Sequence, residues 1–281
     1  MDSEKSLIYF NRGNLYYMNE DKQFIHIAEN KKRIESMIFL NDRLLYTDSN
    51  KIADFLTEET IKQVPEYDHQ WEKNSIDVLG NFNGNLLYNI CNNHDDSTDD
   101  TQRPRRVTNE IYLNDEKISE IGVIINSIQA HDNKIYASGN FVNCYRSPRG
   151  SPEGFVMEVP SQEVLYKLDF GARGLTVHQN KLYGIVDINR NSEIAYTKDN
   201  KSTYYLVNVM NLTDNTIALK NIGRDSRVSF SFDDKLYIDS NQGVHEAIPE
   251  HKLVLNDYYS DPHCFCVVDR NYLEKIIEHT K

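Results

Sequence analysis

Asn133-Lys-Ile-Tyr136, Asn180-Lys-Leu-Tyr183 and Asp234-Lys-Leu-Tyr237 are three copies of one phrase: a turn-forming residue, a lysine, an aliphatic residue and a tyrosine. Looser copies stand at Ser6-Leu-Ile-Tyr9, Arg43-Leu-Leu-Tyr46 and Asn85-Leu-Leu-Tyr88. Successive tyrosines lie 37, 42, 48, 47 and 54 residues apart. Six copies in 281 residues give a period of about 47, the length of a four-stranded propeller blade. Working outward from Tyr136, two-residue alternation and β-branched or aromatic content predict strands over 126–130, 134–136, 154–159 and 163–169. The next period repeats that order over 175–177, 181–186, 203–210 and 216–222. Strands are called A to D from the axis outward.

The two ends of the chain complete each other. Residues 7–10, 14–18 and 23–28 supply strands B, C and D without an A, whereas 264–268 read as an A strand without partners. Joining them closes the ring in one blade and leaves no open sheet edge at the seam. The expectation is an all-β, six-bladed β-propeller of four-stranded blades, one domain over 1–281; the rival register makes the tail a fragment of a seventh blade. With 30 Asn and only 12 Gly, the tight turns are expected to be built on Asn and Asp, which tolerate left-handed backbone. Apolar residues at 272, 273, 276 and 277 predict a short amphipathic helix lying over the ring.

Leu44-Leu-Tyr-Thr-Asp48 and Lys235-Leu-Tyr-Ile-Asp239 resemble degenerate forms of the Tyr-Trp-Thr-Asp repeat of six-bladed propellers, and the general pattern is similar to TolB-like propellers. The tryptophan is missing from every copy, so the resemblance implies fold and carries no function with it.

Composition bounds the function classes. There are 43 acids against 31 bases, a net charge of -12, which argues against nucleic acid or an anionic membrane as the partner of the whole surface. No apolar run approaches the roughly 20 residues that span a bilayer, and the polar start predicts a chain without an export signal. Four cysteines are too sparse for a disulfide scaffold, which makes the cytoplasm the expected compartment.

Catalytic signatures are scarce. Six-bladed propellers include metal-dependent lactonases, and the resemblance implies that such enzymes gather carboxylates and amides at one end of the channel. The predicted inner strands, 36–40, 75–80, 126–130, 174–177, 227–232 and 264–268, contain a single carboxylate, Asp77, whereas a hard divalent cation takes several oxygen ligands. Asp68 and Asp261 lie in loops that could reach the mouth. His131 and His178, each five residues before a repeat tyrosine, read as turn residues, and Cys264 and Cys266 as buried strand cysteines rather than a zinc clasp. Nucleotide-binding and hydrolase-elbow motifs are absent, and neither cofactor nor metal is expected.

One end of the ring stands out. Strands alternate up and down within a blade, so B-to-C and D-to-A connections emerge together. The B-to-C segments of blades three to five, 91–108, 140–154 and 187–202, are long, and long loops on a compact ring are commonly functional. With the D-to-A segments 170–174 and 223–227 they hold Arg103, Arg105, Arg106, Arg146, Arg149, Arg173, Arg190, Arg224 and Arg227, nine of the chain's 13 arginines. Their net charge is +2 against -12 for the chain. Guanidinium forks pair with carboxylate or phosphate, so these arginines, with Trp71 between blades two and three, are the candidate partner-binding residues. The expected function is a non-catalytic interaction module or scaffold for an acidic or phosphorylated protein. The alternatives are a lactonase-like hydrolase or lyase at the channel mouth and a carbohydrate-binding propeller.

Overall fold

Asn and Asp turns and the repeat tyrosines generate six four-stranded antiparallel sheets around an axis. This is a computed structural model, and it describes residues 5–11, 13–29, 34–65, 73–95, 105–141, 154–168, 172–187, 206–224, 228–240, 243–249, 252–256 and 263–280. From the axis outward, blade two is Ser36–Leu40, Arg43–Asp48, Lys51–Asp54 and Thr60–Gln63. Blade four is Val123–His131, Lys134–Phe141, Gly154–Val159 and Val164–Leu168. Blade five is Ala172–His178, Lys181–Asp187, Leu206–Asn211 and Thr216–Arg224; blade six is Ser229–Phe232, Lys235–Ser240, Gly243–Ile248 and Lys252–Asn256. In blade three the inner position is shared by Lys73–Ser75 and Leu79–Phe82, followed by Asn85–Asp95, Arg105–Leu113 and Glu116–Ile121.

Blade one closes the ring as the two chain ends require. His263–Asp269 pairs with Lys5–Asn11 without a register break, from Asn11 opposite His263 to Lys5 opposite Asp269. The rival seventh blade does not form.

The A-to-B turns show why asparagine is abundant. Asn41-Asp42, Asp132-Asn133, Gln179-Asn180 and Asp233-Asp234 each have φ between 47 and 58° at both positions, and Asn83-Gly84 has 53 and 80°. Two successive positive φ values define the hairpin turn whose twist matches the flanking strands, and Asn and Asp adopt it at low cost.

The core is divided among the seams between blades. Leu7, Tyr9 and Phe265 of blade one meet Tyr237 and Val244 of blade six; Leu87 and Ile111 of blade three meet Ile125, Ile135 and Phe155 of blade four. Five of the six repeat tyrosines, Tyr9, Tyr46, Tyr88, Tyr183 and Tyr237, are buried there. Asp239, which ends the Lys235–Asp239 phrase, anchors the chain locally, because its carboxylate accepts the Val228 N–H at 2.7 Å and so fixes the start of the last inner strand.

The helix Arg270–His279 follows directly from the closing strand and lies against the seam of blades one and two. Tyr272, Leu273 and Ile276 are buried, and the Tyr272 hydroxyl accepts the Leu44 N–H at 3.0 Å. No helix among the described residues is long and apolar enough to cross a membrane.

Candidate functional site at the upper end of blades three to five

Inner strands run from the end bearing the B-to-C and D-to-A connections, here the upper end, toward the A-to-B turns. In blades one, two and six they pair with their B strands in unbroken register. Each inner strand of blades three, four and five carries one extra residue near its upper end. In blade three, Ser75 is opposite Cys91 and Leu79 opposite Tyr88, so three residues face two. In blade four, Ile125 opposes Gly139 and Ser127 opposes Ser138, leaving Asn126 outside the ladder. In blade five, Arg173 opposes Ile185 and Thr176 opposes Tyr183. Such bulges bend a strand, tighten its twist and redirect side chains. Gly139 accommodates the blade-four bulge, because a Cβ there would sit 1.8 Å from the Ile124 carbonyl oxygen.

The blade-three break is held by dedicated partners. The Ile76 N–H donates to the Ser49 carbonyl at 2.7 Å, the Val78 N–H to Asn89 Oδ1 at 2.9 Å, and the Leu79 N–H to Ser36 Oγ at 3.1 Å. Behind them, the Asn89 amide donates to Asn109 Oδ1 at 2.6 Å, and Asn109 Nδ2 donates to the Val123 carbonyl at 2.6 Å. Asn89 and Asn109 are fully buried, so every bond in this relay replaces water that cannot enter. Asp77 sits at the apex. Burial pushes its carboxyl above the ordinary range, against the opposing pull of hydrogen bonding with Ser75, Asn89 and Cys91. The Cys91 thiol is pushed up to about 12, chiefly by burial and then by Asp77.

Serines tie neighbouring inner strands across the seams. Ser127 Oγ accepts the Leu175 N–H at 3.0 Å, and the Ser229 hydroxyl donates to the Gly174 carbonyl. These bonds fix the bore of an axial channel with a cavity of about 310 Å³, lined at its upper end by Glu35, Asp77 and Asn126 and lower down by Phe39, Phe230 and Phe265.

The sequence-derived arginines divide into two groups. Arg105 and Arg106 are not in a loop: the B strand of blade three runs to Asp95 and the C strand begins at Arg105, with Arg105 opposite Asp95 and Arg106 opposite His94. The expected 91–108 loop is thus partly a β-ribbon, because the hydrogen-bonded ladder continues beyond the blade. Arg173 is half-buried within the inner strand of blade five, and Arg224 ends the outer strand of that blade, so the ladder also takes in parts of 170–174 and 223–227. Arg103, Arg146, Arg149, Arg190, Arg227 and Trp71 lie outside the described residues, as do Asp68 and Asp261.

His178, His131 and three of the four cysteines fall within the described residues. His178 is 1% exposed at the lower end, its Nδ1 2.9 Å from Ser231 Oγ, and burial holds its pKa below the ordinary histidine value. His131 Nε2 lies 3.4 Å from the Asp132 carboxylate in the adjacent turn. Cys91, Cys264 and Cys266 are buried free thiols. Among the described residues no three His, Cys, Asp or Glu side chains are grouped to hold a metal ion.

The lower end is of a different character. A groove of about 1000 Å³ between blades one and six carries both signs of charge, which pair across it: Lys22 with Asp233, and Arg270 with Glu20 at 3.1 Å. Arg43, also at this end, is held by Asp54 at 2.7 Å and Glu59 at 2.6 Å.

Sequence reasoning missed the asparagine relay and the inserted residues. Cys91 and Asn109 read in sequence as part of the connection or its margin, and neither residue type advertises a buried bond. Glu35 was missed because it precedes the strand proper.

No protein-family model and no curated protein matches the chain. Among solved structures it is similar to Kuenenia stuttgartiensis hydrazine synthase, at 10% identity and a TM-score of 0.49, covering 86% of this chain and 73% of that one. TolB from Acinetobacter baumannii is similar at 9% identity and a TM-score of 0.49, covering 94% of this chain and 66% of its own. A luciferin-regenerating enzyme is similar at 12% identity and a TM-score of 0.48, covering 91% and 83%. The six-blade arrangement expected from the repeats is present, with no specific family attached to it. These likenesses carry no functional argument.

Proposed function

We propose that the chain is a non-catalytic interaction module which binds an acidic or phosphorylated protein through the upper face of blades three to five. The observation that carries this reading is a coincidence on three neighbouring blades. The inner strands with an inserted residue belong to the same blades as the long B-to-C segments, at the same end. Nine of 13 arginines fall in the segments of that end, in a chain whose net charge is -12. An anionic partner would be attracted to this face and repelled by the rest of the ring, which orients the encounter. Three buried free thiols support a reducing compartment, and we place the protein in the cytoplasm.

The test is affinity capture from the native cell followed by mass spectrometry. Arg105→Ala with Arg106→Ala, and separately Arg146→Ala with Arg149→Ala, should each lower recovery of the partner at least about fivefold, and recovery should fall with salt. Lys22→Ala, at the opposite end, should leave it unchanged. Full recovery with both arginine pairs removed, together with loss in Lys22→Ala, would overturn the assignment.

A further inference from the structure

The axial channel holds a second feature, independent of the loop face. Asp77 stands where the inner strand leaves the ladder, and three backbone N–H groups around it are satisfied by Ser49, Asn89 and Ser36 instead of by a β-partner. A relay of two buried asparagines holds that arrangement from behind. Asn126, the extra residue of the next blade, and Glu35, just before the inner strand of the preceding one, line the same upper end. Three adjacent blades thus bring a carboxyl, an amide and a second carboxyl to one mouth: Asn126 within an inner strand, Asp77 at the break in one, and Glu35 just ahead of one. We propose that this end of the channel binds a small, uncharged, hydroxylated molecule of about monosaccharide size, with Glu35, Asp77 and Asn126 supplying its polar contacts.

The ligand class follows from what lines the cavity. At about 310 Å³ it has room for a small molecule and not for a folded element or a helix. Among the described lining residues there is no lysine, arginine or histidine, so within that lining an anion meets the Glu35 and Asp77 carboxyls and no cation. A cationic ligand would draw Asp77 toward its ionised form, which burial opposes. A neutral polyol or sugar meets neither obstacle. Its hydroxyls donate to the Glu35 and Asp77 carboxyl oxygens and accept from the Asn126 amide, while Phe39, Phe230 and Phe265 offer apolar walls to its C–H faces.

Ligand-observed NMR and calorimetry on the full chain provide the test. The probes are glucose, N-acetylglucosamine and myo-inositol, with citrate as the anionic arm and putrescine as the cationic arm, each to about 50 mM, which covers the weak affinities of small polar ligands. At least one neutral probe should bind, and neither charged probe should compete with it. Asp77→Leu should weaken binding about tenfold or more, whereas Asp77→Asn, which keeps a donor and an acceptor, should stay within about threefold. Should Asp77→Leu fail to fold, Asn126→Ala takes its place, with the same loss expected. Silence from all three neutral probes would overturn the proposal. So would binding of only a charged probe, or binding unchanged in the folded Asp77→Leu or Asn126→Ala protein.

Discussion

Asn109→Ala removes the centre of the relay that supports the channel mouth. The wild-type side chain donates to the Val123 carbonyl at 2.6 Å and accepts from the Asn89 amide at 2.6 Å, with no solvent exposure. Truncation leaves two buried polar groups without partners, each costing about 1–3 kcal/mol, so the expected loss is about 4 kcal/mol. That is a large part of the roughly 5–15 kcal/mol typical of a folded domain. Asn89→Ala alone orphans the Val78 N–H and the Asn109 oxygen, for a similar loss. Because the two residues share a bond, the double variant should be less destabilised than the sum of the single losses, by about 0.5–3 kcal/mol. Urea unfolding followed by circular dichroism gives these values directly, provided the slope of the transition is unchanged. A loss below about 1 kcal/mol for Asn109→Ala, or strict additivity with Asn89→Ala, would refute the relay as the support of the break.

Further consequences concern the seams and the buried titratable groups. Ser127→Ala strips the acceptor from the Leu175 N–H and should cost about 1–3 kcal/mol in thermal or urea unfolding; a neutral result would show that this bond does not tie blades four and five. His178 has a folded-state pKa below the ordinary histidine value, so the unfolded chain binds the extra proton first. Its stabilising contribution is therefore complete above about pH 6.5 and lost as pH falls from there toward the depressed value. His178→Phe should flatten that part of the stability profile, and an unchanged acid slope would reject the assignment. The thiols of Cys91 and Cys266, both pushed up to about 12, and of Cys264, raised well above the ordinary thiol range by burial, should resist a thiol reagent until the chain unfolds. Modification of any of them at the rate of an exposed cysteine would contradict their burial.

The ring was legible because its determinants are local and repeated. In four of the six blades the repeat tyrosine stands three residues after an Asn or Asp, since the turn before the second strand needs positive φ, and five of the six repeat tyrosines are buried. The closure was legible because an unpaired strand at each end is costly, and only their union removes both edges. The inner-strand insertions were not, because one extra residue changes neither the alternation nor the composition of a strand. Nor was the outward course of 85–95 and 105–113: Asn92, Asn93, His94 and Asp95 read as loop residues, yet the ladder with 105–108 continues through them. Propensity was overridden there by pairing. Asp77 was identified as the sole inner-strand carboxylate, but its hydrogen bonding with Asn89 and Cys91 of the adjacent strand follows from a pairing register that the sequence does not display.

Hydrogen exchange on the full chain, with and without the partner recovered by affinity capture, tests the central claim most directly. Protection on binding should concentrate in 91–108, 140–154 and 187–202, the segments of the upper face of blades three to five. Protection confined to the lower turns, around 19–22 and 232–234, with those three segments unchanged, would contradict the account.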